Sequence, residues 1–415
     1  MWLMFMKLAN RLEVQTVQVE VVVAVINTTK FIIYKVLRQT FSLVLCLFIG
    51  GFFSISIQAA VLEEDRADVL YHSYDGGGMK IDGPAILLRK KASESVALSA
   101  YYYVDTISSA SVDVMSTASP YSEERVEGQL GIEYLHDKTT MAFSVRQSDE
   151  DDYLAKSVNF NISHDTFGDL TNLNMGIAFS DNEIRRNGDD LFEEQSQQYR
   201  IRAGISQIIT KDLSVSLNVE SVADEGYLNN PYRTVRFIDN SVPAGVGYQS
   251  EIYPTTRNSF STKLSASYYL PYRAALFFHY RHFSDSWQID ANDIELSYRH
   301  PFGKTVELEL KVRYYQQSQT SFYSDLFPYQ DAQNFLARDK ELSDFDDITL
   351  GVGVTYLIPK QFSISDWRSE ASIQWDYITF NYNNFKDPTA EAAVGEEPLY
   401  GFSSHVIRAF FSVYF

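Results

Sequence analysis

The sequence predicts an all-β fold: a transmembrane antiparallel up-and-down β-barrel of about sixteen strands, with about fourteen as the alternative. Three observations predict it. Apolar and polar residues alternate along many segments, the connections between these segments alternate between short and long, and tyrosine and phenylalanine gather at the segment ends. The 415 residues include 28 Tyr and 28 Phe against 4 Trp, yet the mean hydropathy is only -0.20, so apolar residues are interleaved with polar ones.

The N-terminal part is typical of an exported protein. Residues 30–59 combine a basic start, an apolar run that ends at Ile57, and small residues, which is the layout of a secretory signal peptide. We expect cleavage after Ala59, because the apolar run is shorter than the about 20 residues of a membrane-spanning helix. An uncleaved anchor is the alternative. A lipoprotein signal at Cys46 is disfavoured, since Leu45 stands where a small residue is needed.

Charge divides the chain at the same point. Residues 1–59 carry five basic and two acidic residues, a net charge of +3, so the total of -19 leaves -22 for residues 60–415. An acidic body of this kind argues against nucleic acid as a partner. The single cysteine, Cys46, would leave with the signal peptide, which excludes disulfides and thiolate metal sites from the mature protein. We interpret residues 1–29 as a spurious N-terminal extension.

Residues 60–415 are predicted to form the barrel. Because outer-membrane barrels have short periplasmic turns and longer outer loops, the alternation of connections places both termini in the periplasm. The short turns are expected near 92–95, 136–138, 165–169, 209–212, 270–273, 301–304 and 358–366, and the longer loops at 108–123, 147–152, 181–195, 223–256, 317–344 and 383–399.

The segment VELELKVR (306–313) indicates which face meets lipid, since its apolar and charged side chains point to opposite faces of a strand. Turning the four charges outward would cost roughly 6 to 12 kcal/mol, because each Lys or Arg costs about 2 to 4 kcal/mol at the midplane and acids cost less. A secreted β-sandwich also alternates, but the long segments and unequal connections favour the barrel.

The same alternation predicts a charged lumen. A charged lining can select solutes in a pore, and the alternative is an ion-pair network that fills the barrel interior. The predicted lining residues are Arg125, Arg200, Arg202, Asp293, Glu295, Arg299, Glu307, Glu309, Lys311 and Arg313.

Two kinds of stretch offer ligands for cations. SYDGGGMKIDG (73–83) places Asp75 and Asp82 around three glycines, but a calcium site needs more oxygen ligands, so a hairpin turn is preferred. The acidic stretches 148–152 and 181–194 could hold divalent ions that bridge to lipopolysaccharide, and a solvated loop surface is the simpler interpretation. We predict no metal site.

HYRHFSDSW (279–287) is the best candidate for catalysis, because His279, His282, Ser284 and Asp285 lie near the outer end of one hairpin. Proximity in sequence does not make a triad. The chain has no phosphate-binding loop, nucleotide fingerprint or clustered His and Cys set. We therefore expect no catalytic residue and no cofactor.

The stretch DLFPYQDAQNFLARDKELSDF (325–345) mixes aromatic residues with acids and bases. A long and particular loop of this kind predicts either a plug that constricts the lumen or a cap that stabilises the barrel.

The chain ends on HVIRAFFSVYF (405–415), a strand pattern in which Phe411, Val413 and Phe415 share one apolar face. We interpret these three residues as the signal by which the outer-membrane barrel assembly machinery recognises the protein.

Several long stretches resemble a known family: EEDRADVLYHSYDGGGMKIDGPAILLRKK, YYYVDTISSASVDVMSTASPYSEER, DEGYLNNPYRTVRF, YYLPYRAAL, FYSDLFPYQDAQNFLARDKELSDF and FFSVYF. Over residues 62–415 the chain resembles the domain of unknown function 3570 family of Gram-negative outer-membrane proteins. The resemblance implies an outer-membrane barrel without an established activity, ligand or catalytic residue, and it suggests envelope redox proteins as partners. The long N-terminal stretch departs from the family pattern.

Together these observations predict a protein of the Gram-negative outer membrane, surrounded by lipid bilayer and lipopolysaccharide. The function we favour is a channel or passive exporter for small solutes. The alternatives are a closed barrel that acts as a scaffold or partner in an envelope redox or assembly system, and, least favoured, a barrel hydrolase.

Overall fold

The structure, a computed structural model, describes residues 61–109, 121–359 and 367–415. The predicted extension and signal peptide lie outside the described residues. Sixteen strands form one closed antiparallel barrel, and two more form a separate hairpin, so the predicted fold is confirmed. The strands are β1 (Arg66–Gly76), β2 (Met79–Ser93), β3 (Val96–Ser109), β4 (Tyr121–His136), β5 (Thr139–Asp149), β6 (Tyr153–Thr166), β7 (Thr171–Arg185), β8 (Glu193–Thr210), β9 (Leu213–Gly226), β10 (Thr234–Ile238), β11 (Val246–Ser250), β12 (Thr256–Tyr269), β13 (Ala275–Asp285), β14 (Asp290–Phe302), β15 (Val306–Gln317), β16 (Phe345–Ile358), β17 (Arg368–Lys386) and β18 (Leu399–Tyr414).

Strands that are neighbours in the chain are neighbours in the barrel, except that β9 pairs with β12 because the β10–β11 hairpin lies outside the wall. The barrel closes between the first and last strands, from Arg66 opposite Tyr414 to Gly76 opposite Ser404. Beyond that ladder the Phe415 N–H donates to the carbonyl of Asp65 at 3.0 Å. The last residue is therefore held beside the start of β1.

The connections differ between the two ends of the barrel. At the end that holds both ends of the described barrel chain, here termed the turn end, short turns such as 137–138 and 211–212 join the strands. At the other end, termed the loop end, lie the long connections 227–255, 318–344 and 387–398. This is the predicted asymmetry, with both ends of the barrel chain on the short-turn side.

Two of the loops, predicted at 147–152 and 181–195, are shorter in the structure than predicted. β5 continues to Asp149 and β7 to Arg185, which leaves connections of only 150–152 and 186–192. The polar residues that suggested loops instead extend the strands past the apolar band, where both faces of a strand meet water and carry no apolar signal.

The glycine-rich stretch forms the predicted hairpin turn. Gly77 and Gly78 have φ angles of 59° and 76°. A two-residue type I′ turn requires this left-handed conformation at both positions, and glycine adopts it without a steric cost. Asp82 lies opposite Ser73 in the ladder and Asp75 opposite Lys80, so the two carboxylates are not brought together.

The outer face of the barrel is apolar. Leu130, Leu350 and Ile373 are 63%, 55% and 54% exposed, an exposure that a water-soluble sheet would not leave on so many strands. Aromatic side chains crowd its turn end, as the girdle of a membrane barrel does. Exposed examples there include Tyr134, Tyr268, Phe302, Tyr356, Trp367 and Phe415. Among the described residues, no helix has the length and apolar character to cross a membrane.

The three long connections at the loop end, residues 227–255, 318–344 and 387–398, fold together and are termed the cap. β10 and β11 belong to its first segment, and bridges join Phe237 to Phe327 and Ile252 to Leu336 in its second. Two buried clusters hold it together: Tyr253, Trp287, Ile289, Phe322, Ala337 and Leu342 in one, and Val235, Phe237, Phe327 and Leu336 in the other. The predicted stretch 325–345 is thus a folded part of this cap and not a free loop.

Candidate functional site

The inner wall of the barrel carries charged residues on several strands. On β14 and β15 the apolar side chains Ile294, Leu296, Leu310 and Val312 are exposed on the outer face, so the charged residues between them point inward. Arg299 binds Glu309 at 3.2 Å. Glu295 accepts a hydrogen bond from Ser297 at 3.5 Å, and Glu307 lies opposite Thr355 near the turn end.

A chain of ion pairs runs along this wall from β13, where Arg281 lies 3.4 Å from Asp293, to β18. Arg313 binds Asp293 at 2.6 Å and Asp347 at 3.1 Å. Lys311 binds Asp376 at 2.9 Å, and Asp376 also accepts from Arg408 on the last strand. Gly351 leaves room for the Lys311 ion pair, because a Cβ at this position would overlap the Asp376 carboxylate.

A second group of charges lies on β1 to β5. His72 contacts Asp105 at 2.6 Å, Tyr103 donates to the same carboxylate at 2.5 Å, and the rings of Tyr103 and His72 stack with centroids 5.3 Å apart. Beside them Glu127 accepts ion pairs from Arg125 at 3.1 Å and from Arg146 at 2.6 Å.

The third group, on β8 and β9, contains the remaining predicted residues. Arg200 lies 3.9 Å from Glu220, and Arg202 donates to the Asn161 side-chain oxygen at 3.3 Å.

The ion pairs of the inner wall are lateral. Arg313 on β15 pairs with β14 and β16, Lys311 on β15 with β17, and His72 on β1 with β3. Each of these joins strands at most two places apart around the barrel. These ion pairs of the described residues therefore connect nearby strands of the wall and do not cross the barrel.

Sequence reasoning missed several inward residues. His72, Asp105, Asp376 and Arg408 were not selected, although Asp376 stands between Trp375 and Tyr377 in the same alternation. Their odd or even position in the alternation of each strand is enough to assign them to the inner face.

The acidic stretch at 148–152 contributes to a cluster at the loop end. Carboxylate oxygens of Glu123, Glu150 and Asp152 lie within 4.8 Å of one another, the one such group among the described residues. Arg125 lies 3.5 Å from Glu150 and offsets part of this charge.

The candidate catalytic set is not assembled. His279 contacts the Ser265 hydroxyl at 2.8 Å on the inner face, whereas His282, three residues further on, lies on the opposite face and contacts Asn292 at 3.2 Å. Asp285 instead pairs with Arg257 at 2.6 Å and accepts the backbone N–H groups of the following turn. Residues at odd separation along a strand face opposite ways, so His282 and Asp285 diverge.

The cap contains a buried network of charges. Arg236, 3% exposed, binds Glu397 at 2.5 Å and also pairs with Asp325. Arg338 binds Asp325 at 3.1 Å and lies 4.4 Å from the ring centre of Phe385. These contacts join all three segments of the cap and connect them to β17.

A buried carboxylate pair lies beside this network. Glu251 accepts the backbone N–H groups of Arg338 and Asp339 at 2.6 and 2.8 Å. Burial raises the pKa of the Glu251 carboxyl, and it raises the pKa of Asp339 to about 7, although Arg233 lies 2.5 Å from Asp339 and favours its charged form.

Comparison with known proteins gives one family and a set of distant structures. The family model described as "Protein of unknown function (DUF3570)" matches residues 109–196 and 189–374, which is more than half of the chain. No curated protein matches.

Among solved structures, the chain is similar to the siderophore receptor PirA from Pseudomonas aeruginosa, at 9% identity and a TM-score of 0.41, with 85% of this chain and 63% of the receptor covered. The chain therefore spans less than two thirds of the length of that receptor. It is also similar to the CymD monoaromatic hydrocarbon channel, at 12% identity and a TM-score of 0.41, over 85% and 89% of the two chains. The third is OmpT of Vibrio cholerae, at 10% identity and a TM-score of 0.40, over 86% and 100%.

Proposed function

Because the chain belongs to the family of proteins of unknown function DUF3570 and folds as a closed sixteen-strand barrel, we propose that it is an outer-membrane channel for small solutes. Barrels of eight strands are filled by their own side chains, whereas barrels of about sixteen strands leave an aqueous interior unless something plugs them. The apolar outer face supports insertion in a bilayer, and the polar inner face supports a water-filled lumen.

The observation that carries this proposal is the lateral pairing of the inner charges. Arg313 pairs with Asp293 and Asp347, and both partners lie on the strands next to its own. A scaffold with a solid interior would need side chains that meet across the barrel. Charges held against the wall instead set the field through which an ion passes.

The cap supplies the constriction of this channel. It lies over the loop end, and its segments are held to each other by buried ion pairs such as that of Arg236 with Glu397. Solutes then pass beside or beneath the cap.

Single-channel recording in a planar bilayer tests the proposal. The refolded mature protein should give steady openings. Arg313→Gln should shift the reversal potential toward cation preference, because Asp347 loses its ion pair with Arg313 and Asp293 keeps only Arg281, at 3.4 Å. Lys156→Gln is the matched control, since it removes one positive charge from the exposed outer face beside Val158. A silent bilayer with a verified folded barrel, or equal shifts in the two variants, would reject the lined channel.

The second candidate is a closed barrel that serves as a scaffold or partner in an envelope redox or assembly system. The cap favours it, because its two apolar clusters give the loop end a folded surface of the kind a partner protein could bind. A silent bilayer together with recovery of an envelope protein by cross-linking from Tyr329, which is 60% exposed on the cap, would support this function instead.

A further inference from the structure

A cavity of about 290 Å³ opens in the inner wall between β5 and β9. It lies away from the ion-pair chain of β13 to β18. The polar side chains and glycines that line it are Thr140, Asn161, Ser163, Asn174, Gly176, Arg202 and Asn218. It is at the small end of the size range of ligand pockets, which suits one six-membered sugar ring or a molecule of similar size.

The sequence builds this cavity by repeating one pattern on three strands. FNI (160–162), LNM (173–175) and LNV (217–219) each place an asparagine between two apolar residues. The apolar neighbours Phe160, Leu173 and Leu217 are exposed on the outer face, so the three asparagines point into the lumen.

Two glycines leave room for the asparagine side chains of the cavity. Gly176 lies opposite Asn161 on one side and Arg202 on the other, and Gly204 lies between Asn174 and Asn218. A Cβ at Gly176 would overlap the Asn161 side-chain oxygen, and a Cβ at Gly204 would overlap the side chains of both its neighbours. Any larger residue would therefore push the amides out of their places.

The polar groups of the cavity are available to a ligand. Arg202 donates one hydrogen bond, to Asn161 at 3.3 Å, and has no carboxylate partner within the part of the chain that the structure describes. Glu220 stands opposite Arg202 in the ladder between β8 and β9, but its carboxylate lies within ion-pair distance of Arg200 instead, at 3.9 Å. The side-chain amides of Asn174 and Asn218 make no hydrogen bond to any described residue.

We propose that this cavity binds a small hydroxylated carboxylate of the sugar-acid class. A guanidinium binds a carboxylate through two parallel hydrogen bonds. Among the described residues, no carboxylate of the protein lies within ion-pair distance of the Arg202 guanidinium, which leaves it open to the carboxylate of a ligand. Each amide offers two donors and an acceptor, which matches adjacent hydroxyl groups. The inference deepens the proposed channel function and rests on it, since the solute reaches the cavity from the lumen.

Calorimetric titration of the folded full-length mature barrel in detergent tests the site with three probes. D-glucuronate should bind, D-glucose should bind at least tenfold more weakly because it lacks the carboxylate, and succinate at least tenfold more weakly because it lacks the hydroxyls. Equal binding of glucose and glucuronate would overturn the proposal.

Variants assign the binding to the cavity. Arg202→Gln should weaken glucuronate at least tenfold and leave glucose unchanged, Arg202→Lys should retain part of the affinity, and Gly204→Ala should weaken both sugars. Gly131→Ala is the matched glycine control, because a Cβ there meets the Ser99 hydroxyl on a different part of the wall. Heat-dependent gel mobility confirms that each variant folds. Unchanged glucuronate affinity in folded Arg202→Gln would reject the site.

The two proposals fail separately. Binding of glucuronate without any conductance would reject the channel but leave the cavity proposal standing. Conductance that glucuronate neither blocks nor contributes to, at about 10 mM, on the order of the Kd of a weak ligand, would reject the cavity proposal and leave the channel.

Discussion

Gly83 on β2 lies where the backbone of β3 approaches most closely. A Cβ there would overlap the carbonyl oxygen of Val104, a backbone atom that cannot rotate away. The ladder between β2 and β3 is interrupted for two residue pairs at this point, between Asp82 opposite Thr106 and Ala85 opposite Tyr103, and keeps the same register on both sides. Glycine is thus required at this position because a side chain would clash with the neighbouring strand, and not because the backbone is left-handed.

We expect Gly83→Ala to destabilise the barrel by about 1 to 3 kcal/mol or more, the usual cost of forcing atoms into a packed site. Gly128→Ala is the control, because a Cβ at Gly128 meets nothing within 4 Å. Urea titration, followed by heat-dependent gel mobility, measures the unfolding midpoint of both variants. Equal midpoints for the two variants would contradict the assignment.

Asp339 makes the cap sensitive to pH. Burial raises the pKa of its carboxyl from 3.8 to about 7. Between these two pH values the closed cap holds a proton that the opened cap releases. Its contribution to closure is fully present below 3.8 and is lost as the pH rises through about 7. We expect the cap to open more readily at pH 8 than at pH 5.

Hydrogen exchange of peptides from 318–344, expressed as protection factors so that the intrinsic pH dependence is removed, measures this opening. Protection should fall between pH 5 and pH 8, and Asp339→Asn should flatten the change because an amide resembles the protonated acid. Glu251, whose pKa burial also raises, accounts for any slope that persists. Protection that rises with pH would contradict the prediction.

The last strand, β18, both closes the barrel and ends at its turn rim. Phe415 packs against Trp367 with ring centres 5.2 Å apart and lies 4.9 Å from the Lys90 ammonium. Its outward neighbours in the same alternation are Val413 and Phe411, and Phe411 is exposed on the outer face. The proposed assembly signal is therefore a lipid-facing edge of the seam between β18 and β1.

Removal of Phe415 should reduce the amount of folded barrel in the outer membrane several-fold while refolding in detergent loses less, since few contacts disappear. Tyr414→Phe is the control at the adjacent, inward position. Heat-dependent gel mobility of membrane fractions and of refolded protein measures the two yields. Equal losses in both would show that Phe415 acts through stability and not through recognition.

The two ends of the barrel predict its orientation in the membrane. The cap lies at the loop end and the short turns at the other, so we place the cap outside the cell and the turns in the periplasm. The single cysteine of the chain lies within the predicted signal peptide, which leaves the barrel free for labelling at chosen sites.

A cysteine at Tyr329, 60% exposed on the cap, should react with a membrane-impermeant maleimide on intact cells. A cysteine at Lys211, whose side chain is 90% exposed in a turn, should react only after the cells are lysed. The reverse pattern would invert the orientation and place the cap in the periplasm.

The sequence alone determined the barrel, the end of each strand that carries a turn, and the inward face of β15. These features are local: alternation has a period of two residues, and a charge turned toward lipid costs too much to allow another register. The same locality explains the errors, because at 147–152 and 181–195 both strand faces meet water and no period marks where the strand ends. For HYRHFSDSW, counting residue parity would have separated His282 from Asp285 without a structure.

The tertiary structure alone decided which residues meet. Glu309 could be assigned to the lumen from its neighbours, but its pairing with Arg299 depends on the register between β14 and β15. The cavity between β5 and β9 needs three strands aligned so that Asn174 and Asn218 flank Gly204. The cap brings together Arg236 and Glu397, which are far apart in the chain and carry no periodic signal. Contacts of this kind depend on how the whole chain folds, and the alternation along one strand gives no information about which distant residues will meet.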